Sequence, residues 1–388
     1  MKNLRFYLYL AILGLIPLLF ISDCSWVDPL RDLLHPKTER EAYAREWRRE
    51  VGKDHPTYLA WLAENDRALR QAPQARLPQL ERIKDISAEG LPAGLAQGYR
   101  FKLARGRALE VKCEPLNEAR IYGELYRIGE DRQGAYYDLL TSWKQEQSSL
   151  NYEALDAEEE LVLVVQTAPA KGGHYNLLLR DYGPLQFPVE GVDNSAIQSF
   201  WGAPRDGGAR KHEGNDIFAP RGTPVLATSE GRVSRVENTS RGGKVVWLED
   251  DYRQLRLYYA HLDEQWVRPN QRVERGEALG TVGNTGNAER TPPHLHFGIY
   301  PMGEGAVDPL AFYRLAETAT PTTDADLSRI GQAWQVDRRA AFYLRLAPSR
   351  EADPKRQLRA EENVWILGAS SGLYRIRTES GETGYFAP

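Results

Sequence analysis

The pattern of apolar and polar positions divides the chain into a helical start and a long β-rich remainder. Between about Lys37 and Ile86 apolar residues recur at helical spacing: Tyr43, Trp47 and Val51 lie four apart, and Tyr58, Trp61 and Leu62 follow Pro56. This predicts two or three amphipathic helices whose aromatic stripe is core packing rather than a ligand shelf. From Gly98 the period falls to two. Tyr99, Phe101 and Leu103 share one face, Leu109, Val111 and Cys113 resume it after Arg105-Gly106, and further strand-like runs occur at 121–128, 161–165 and 175–179. Turn residues such as Gly172-Gly173 separate these runs, and the pattern predicts a small antiparallel β-sandwich.

From about Phe187 to Leu315 short alternating runs continue, punctuated by Gly and Pro. Residues 319–324, Ala-Thr-Pro-Thr-Thr-Asp, have linker composition, and a last set of short strands runs from Ala340 to the end. The expectation is a mainly β, multidomain chain: a signal over 1–23, a helical segment over 24–90, a β-sandwich over 91–185, an antiparallel β-sheet domain over 186–316, a linker over 317–327 and a small β-barrel over 328–388.

Length and composition agree, since 388 residues with 41% hydrophobic content supply more than one core. Charge is nearly balanced, 50 Lys+Arg against 54 Asp+Glu, so no net field calls for nucleic acid and partners must be argued from sites. Lys2 and Arg5 precede an unbroken apolar or small run over 6–22 that contains Gly14 and Pro17. It is shorter than the roughly 20 residues of a spanning helix and reads as an export signal. Cys24, in Ile21-Ser22-Asp23-Cys24-Ser25, resembles a bacterial lipoprotein processing site, with Asp23 departing from the small residue that pattern prefers. The resemblance implies a membrane anchor through lipid on Cys24, the alternative being the uncleaved apolar run. Ser25 lacks the aspartate that resembles an inner-membrane retention signal, which favours the outer membrane. Cys113 alternates with Leu109 and Val111, as a small buried apolar side chain would.

The chemistry lies in 187–315, which holds four of the seven histidines in three stretches: His212-Glu213-Gly214-Asn215-Asp216, Tyr259-Ala260-His261-Leu262 and Pro293-His294-Leu295-His296-Phe297. On a strand, His294, His296 and Gly298 share one face while Leu295, Phe297 and Ile299 make a core face. The two imidazoles are then within about 7 Å of each other and can converge on one ion. His261 ends an alternating run, Leu255, Leu257, Tyr259 and His261. His212 and Asp216 sit in a non-periodic context near Pro220 and Gly222, which suits a loop. Catalytic zinc takes three protein ligands and leaves the fourth position to water, so four histidines and one aspartate supply three ligands with two imidazoles to spare. Spacing does not say which three, or whether the stretches belong together. Glu213 reads as a surface residue, since HExxH is absent, and Gly283-Asn284-Thr285-Gly286 reads as a tight turn.

The run from Phe200-Trp201-Gly202 through these stretches, with Ala219-Pro220-Arg221-Gly222-Thr223-Pro224-Val225, Gly231-Arg232-Val233 and Gly276-Glu277, closely resembles the lysostaphin-type zinc endopeptidases. The resemblance implies that 186–316 is a zinc peptidase domain binding one zinc ion per chain. It implies that His212, Asp216 and His296 coordinate the metal and that His261 and His294 flank the open position as general base and transition-state stabiliser. It further implies peptidoglycan peptide stems as substrate, in the cell envelope. Asn215 departs from the family, which usually has an aliphatic residue there. Degenerate members of the family act as non-enzymatic activators of wall hydrolases but typically lack zinc ligands; proteolysis of envelope proteins is a second alternative. The closing runs, Tyr343-Leu344-Arg345-Leu346, Val364-Trp365-Ile366-Leu367 and Leu373-Tyr374-Arg375-Ile376, resemble a bacterial Src-homology-3-like barrel, in which Trp365 and Tyr374 are core or groove residues.

Overall fold

The computed structural model describes residues 38–84, 94–144, 146–169, 172–315, 324–338 and 341–387. The expected export signal, Cys24 and most of the 317–327 linker lie outside the described residues. Among those described, no helix is long and apolar enough to cross a membrane.

The chain divides into two compact units, Met1–Tyr58 and Leu59–Pro388. In the first, helix α1 (Glu39–Val51) begins at Thr38, whose hydroxyl accepts from the Glu41 N–H at 3.1 Å and satisfies one of the open donors of the first turn. Tyr43, Trp47 and Tyr58 meet ring against ring at 6.0 and 5.6 Å, so the aromatic stripe is packing, as its spacing predicts. Helix α2 (Pro56–Arg70) carries the fully buried Trp61, whose indole N–H donates to the Thr167 carbonyl at 2.8 Å.

The alternating runs after Gly98 form the predicted sandwich. Its strands are β1 (Gln79–Lys84), β2 (Ala96–Leu103), β3 (Ala108–Pro115), β4 (Ile121–Asp131), β5 (Gly134–Ser142), β6 (Ser149–Glu153), β7 (Glu159–Thr167) and β8 (His174–Tyr182). One sheet has the order β2-β7-β4-β5, and β1, β8, β3 and β6 run side by side in the other. Phe101, Leu163 and Val165 from the first meet Val111, Leu177 and Leu179 from the second, with Cys113 buried among them. Burial pushes the Cys113 thiol up to about 12, which keeps it protonated and inert, in line with its place in the alternation.

The following segment builds an antiparallel sheet of its own. It contains β9 (Ile197–Ser199), a ribbon of β10 (Pro204–Arg205) and β11 (Arg210–Lys211), then β12 (Asn215–Phe218), β13 (Pro224–Leu226), β14 (Gly231–Thr239), β15 (Gly243–Asp250), β16 (Leu255–Gln265), β17 (Arg272–Val273), β18 (Ala278–Val282) and β19 (His294–Pro301). The order is β17-β14-β15-β16-β19-β12-β9, with β18 bridging β13 and β16. Leu255, Leu257 and Tyr259 of β16 and Leu295, Phe297 and Ile299 of β19 face a core closed by Phe312 and Tyr313 of the short helix α3 (Leu310–Tyr313). The opposite face of β12, β16 and β19 is left open to a cleft.

The C-terminal strands are β20 (Ala333–Gln335), β21 (Tyr343–Arg345), β22 (Pro354–Gln357), β23 (Asn363–Ser370), β24 (Leu373–Thr378) and β25 (Thr383–Phe386). They have their own core, in which Tyr374 is buried with Ile366, Ile376 and Phe386, while Trp365 packs against Leu95 and Leu367. They also extend the second sandwich sheet: β23 pairs antiparallel with β1, Arg82 opposite Ala369 and Ile83 opposite Gly368. The spacing of these strands predicts a separate small barrel; in the structure one ten-stranded sheet runs from them into the sandwich.

Candidate metal centre

Three of the five singled-out residues come together from β12, β19 and the turn before β12. Asp216 lies directly opposite His296 across the β12–β19 ladder, and Phe218 lies opposite His294. Asp216 therefore belongs to a strand, not to the loop its irregular surroundings suggest, because its pairing partner is distant in sequence. Glycine is required at position 214, where a Cβ would meet the Phe297 carbonyl at 2.5 Å and the His296 ring at 2.8 Å.

His212 Nε2, His296 Nδ1 and Asp216 Oδ1 form a nearly equilateral triangle with edges of 2.9, 3.0 and 3.0 Å. His212 and Asp216 are buried and His296 is partly buried, and among the described residues they form a group of His and carboxylate atoms able to hold a metal ion. His212 Nδ1 donates to the Phe200 carbonyl at 3.0 Å, which leaves the lone pair on Nε2. Two imidazole nitrogens and a carboxylate oxygen thus aim at one point, where shared protons cannot satisfy all three. The edges are close to the ~3.3 Å separation of ligand atoms around a tetrahedral ion at about 2.0–2.1 Å, so the donor set fits zinc. Burial pushes the Asp216 carboxyl up, but the close imidazoles of His212 and His296 outweigh it and hold the group well below the usual carboxylate range. Burial lowers His296, with Asp216 only partly offsetting it, which favours the neutral imidazole a metal needs.

His261 and His294 face the same cleft beside this triangle, their rings 5.1 Å apart. His294 Nδ1 donates to the Pro292 carbonyl at 2.9 Å and its ring stacks on Phe218 at 4.9 Å; its Nε2 is 3.9 Å from Asp216 Oδ1. His261 Nδ1 donates to the Thr285 carbonyl at 2.9 Å. Both rings consequently turn Nε2 inward.

The placement of His261 departs from strict alternation, which would send it into the core with Leu255, Leu257 and Tyr259. The β15–β16 register shifts between Lys244 and Val246, and His261 takes φ 63°, a left-handed conformation uncommon for a non-glycine residue. This bulge rotates the imidazole to the cleft, and a bond from the His261 N–H to the Gly242 carbonyl at 2.8 Å fixes it. Behind it, Gly243 at φ 62° makes room for the Thr285 turn, where a Cβ would approach Thr285 Oγ1 at 2.2 Å. The Gly283–Gly286 turn is thus the support of His261. Burial, with His296 and His294 nearby, lowers the His261 pKa to about 4, so the ring is a neutral base at neutral pH.

Several cleft residues carry no signal in the sequence. Arg205 Nη2 donates to Asp216 Oδ2 and Ser199 Oγ, both at 2.7 Å. Trp247, Tyr258 and Tyr300 line one wall, and Glu213 is exposed with its carboxylate 3.4 Å from the Tyr300 hydroxyl. Asn215 is fully buried and fully used: its carbonyl accepts from the Trp201 N–H at 2.8 Å and its amide donates to the Tyr313 hydroxyl at 2.8 Å. Both ends of the amide find partners, which offsets the cost of burying a polar side chain there.

Comparison with known proteins bears on this region. Residues 210–309 match the model of peptidase family M23. The chain is 37% identical over 128 residues to the L-Ala--D-Glu endopeptidase of Bacillus subtilis, covering 31% of this chain and 39% of that protein. It is 34% identical over 94 residues to the peptidoglycan DD-endopeptidase ShyC of Vibrio cholerae, covering 24% and 21% respectively. To the murein hydrolase activator NlpD of Salmonella dublin it is 36% identical over 132 residues, covering 31% and 33%. The chain thus spans well under half the length of these relatives. Over residues 210–309 it carries a domain of peptidase family M23.

Proposed function

We propose that the chain is a zinc-dependent endopeptidase that hydrolyses peptide cross-links of peptidoglycan in the cell envelope, with His212, Asp216 and His296 as ligands of one zinc ion. The observation that carries this reading is the triangle of inward-facing donor atoms with two further imidazoles beside it. Zinc bound there supplies Lewis acidity and brings hydroxide within reach at neutral pH. His261, neutral and held by the Thr285 carbonyl, takes a proton at Nε2 from the attacking nucleophile. His294, once its Nε2 carries a proton, donates to the oxyanion that develops on the scissile carbonyl. Asp216 keeps one oxygen for the metal because Arg205 holds the other. Attachment to the membrane through lipid on Cys24, facing the periplasm, belongs to the same reading and is supported by the sequence around Cys24.

Similarity to a murein hydrolase activator favours a second reading, a non-enzymatic activator of other wall hydrolases. One experiment separates the two: the zinc-loaded chain is incubated with cross-linked muropeptides and the products are weighed by mass spectrometry. Loss of cross-linked species supports the peptidase. Unchanged cross-linking by protein that carries one zinc overturns it in favour of the activator.

A further inference from the structure

The cleft has an electrostatic character that the chain as a whole does not. The chain carries a formal net charge of −4, yet the fully charged residues lining the cleft are Arg205, Arg210 and Arg241 against Glu213 and Asp216. Asp216 is engaged by Arg205 and the two histidines. With the Arg205–Asp216 pair set aside, Arg210 and Arg241 stand against Glu213, a small net positive charge on an acidic protein.

Arg241 is the arginine best placed to use that charge. It sits in the turn between β14 and β15, and its backbone is fixed on both sides. Its carbonyl accepts from the Asn287 N–H at 3.0 Å, and the next residue, Gly242, accepts from the His261 N–H at 2.8 Å while its own N–H donates to Thr239 Oγ1 at 3.0 Å. The anchor of Arg241 is thus one residue from the peptide that orients His261. Its side chain is exposed at the cleft and makes no hydrogen bond or ion pair among the described residues. It lies close enough to Tyr258 that, where burial raises the phenol, the Arg241 charge is the main effect opposing it. Tyr258 belongs to an aromatic wall: its ring is 4.4 Å from Trp247 and 6.4 Å from Tyr300, and Trp247 is 5.3 Å from Tyr300.

An unpaired guanidinium presents a planar fork of donors that fits a carboxylate with two parallel hydrogen bonds. Beside an aromatic wall that displaces water, such a pair is worth more than on an open surface. We infer that the cleft takes a peptide bearing a free carboxylate next to the scissile bond, and that Arg241 binds that carboxylate. This rests on the reading of the cleft as a peptide-cleaving site, but it concerns which peptide is held and not whether it is cut.

The test compares two muropeptides that differ only in whether the carboxylates flanking the cross-link are free or amidated. Equilibrium binding is measured on the zinc-loaded chain, and turnover of the same pair is followed separately. The wild-type chain should bind the free acid about tenfold or more tightly than the amide, the preference expected of one charge-assisted contact. Arg241→Ala should lose that preference while binding the amide as the wild type does, and Arg241→Lys should keep part of it. The same affinity ratio in the wild type and Arg241→Ala overturns the inference, as does failure of the wild type to bind either peptide. Binding with the expected preference but without turnover leaves the inference standing and overturns the peptidase reading instead.

Discussion

Arg205 holds the outer oxygen of Asp216: a single guanidinium nitrogen reaches Asp216 Oδ2 and Ser199 Oγ, each at 2.7 Å, while Asp216 Oδ1 faces His212 and His296. The carboxylate is thereby split into one oxygen turned to the two imidazoles, as the proposed metal ligand, and one held by Arg205. Partners of this kind orient a ligand before the ion arrives, and removing them typically weakens metal binding about 10–100-fold. Arg205→Ala should show that loss in a chelator competition titration, with Arg205→Lys recovering part of it. The Asp216 side chain is only 11% exposed, so the truncation should also lower the melting temperature of the metal-free protein, and the titration is run well below that temperature. Unaltered zinc affinity in Arg205→Ala would sink the positioning role.

His212 and His294 differ in where their inward nitrogens lie. His212 Nε2 is a corner of the triangle, whereas His294 Nε2 stands 3.9 Å from Asp216 Oδ1. His212→Ala should therefore abolish zinc retention through gel filtration. His294→Ala should retain one zinc per chain and lose roughly 10²–10⁴-fold in turnover, the usual contribution of a positioned acid or base. Equal metal loss in both variants, by elemental analysis, contradicts this division of roles.

His261 gives a pH dependence whose direction is fixed by burial. Its folded pKa is depressed from 6.5 to about 4, first by burial and then by His296 and His294. As pH falls, the unfolded chain takes up this proton near 6.5 while the folded protein resists until about 4. The contribution to stability is fully present above the unfolded value and is lost as pH falls through that window, by roughly 3 kcal/mol in total. Denaturant unfolding of the metal-free protein should show a smaller fall in stability between pH 6.5 and 4 in His261→Asn than in the wild type. Identical pH profiles would show that His261 titrates as an exposed histidine does.

The sequence and the structure agree most closely where one strand face is core. His294 and His296 could be placed together because Leu295, Phe297 and Ile299, all fully buried, mark the opposite face. The same logic misplaces His261, since a one-residue bulge inverts the face and nothing in the local sequence announces a bulge. Asp216 looks loop-like because β12 is four residues long and is held by β19 rather than by its own periodicity. Arg205 and Arg241 read as ordinary surface charges until the fold brings them to the cleft. The C-terminal strands were visible, but their union with β1 was not: Ser370 Oγ donates to the Leu80 carbonyl across 290 positions of sequence. Pairing at that separation leaves no trace in local pattern.

That union is fastened by a charge pair with no access to solvent. Arg375 of β24 donates to Glu81 of β1 at 2.8 and 3.2 Å, both side chains being fully buried. The guanidinium also packs over the Tyr99 ring at 4.3 Å, and Gln79 joins the network through its 3.2 Å bond to Glu81 and its 3.0 Å bond to the Tyr385 hydroxyl. Both charges find partners inside the cluster, which offsets the cost of taking them out of water. Removing one partner alone strands the other. Glu81→Ala should cost about 3–5 kcal/mol in chemical denaturation, with protection of the β1 and β23 amides from hydrogen exchange falling together because those strands share one ladder. Replacing both charges, Glu81→Leu with Arg375→Met, should recover much of the loss, since apolar residues of similar volume need no compensating partner. A single variant as stable as the wild type would mean that water reaches Arg375 and that the β1–β23 junction does not depend on the pair.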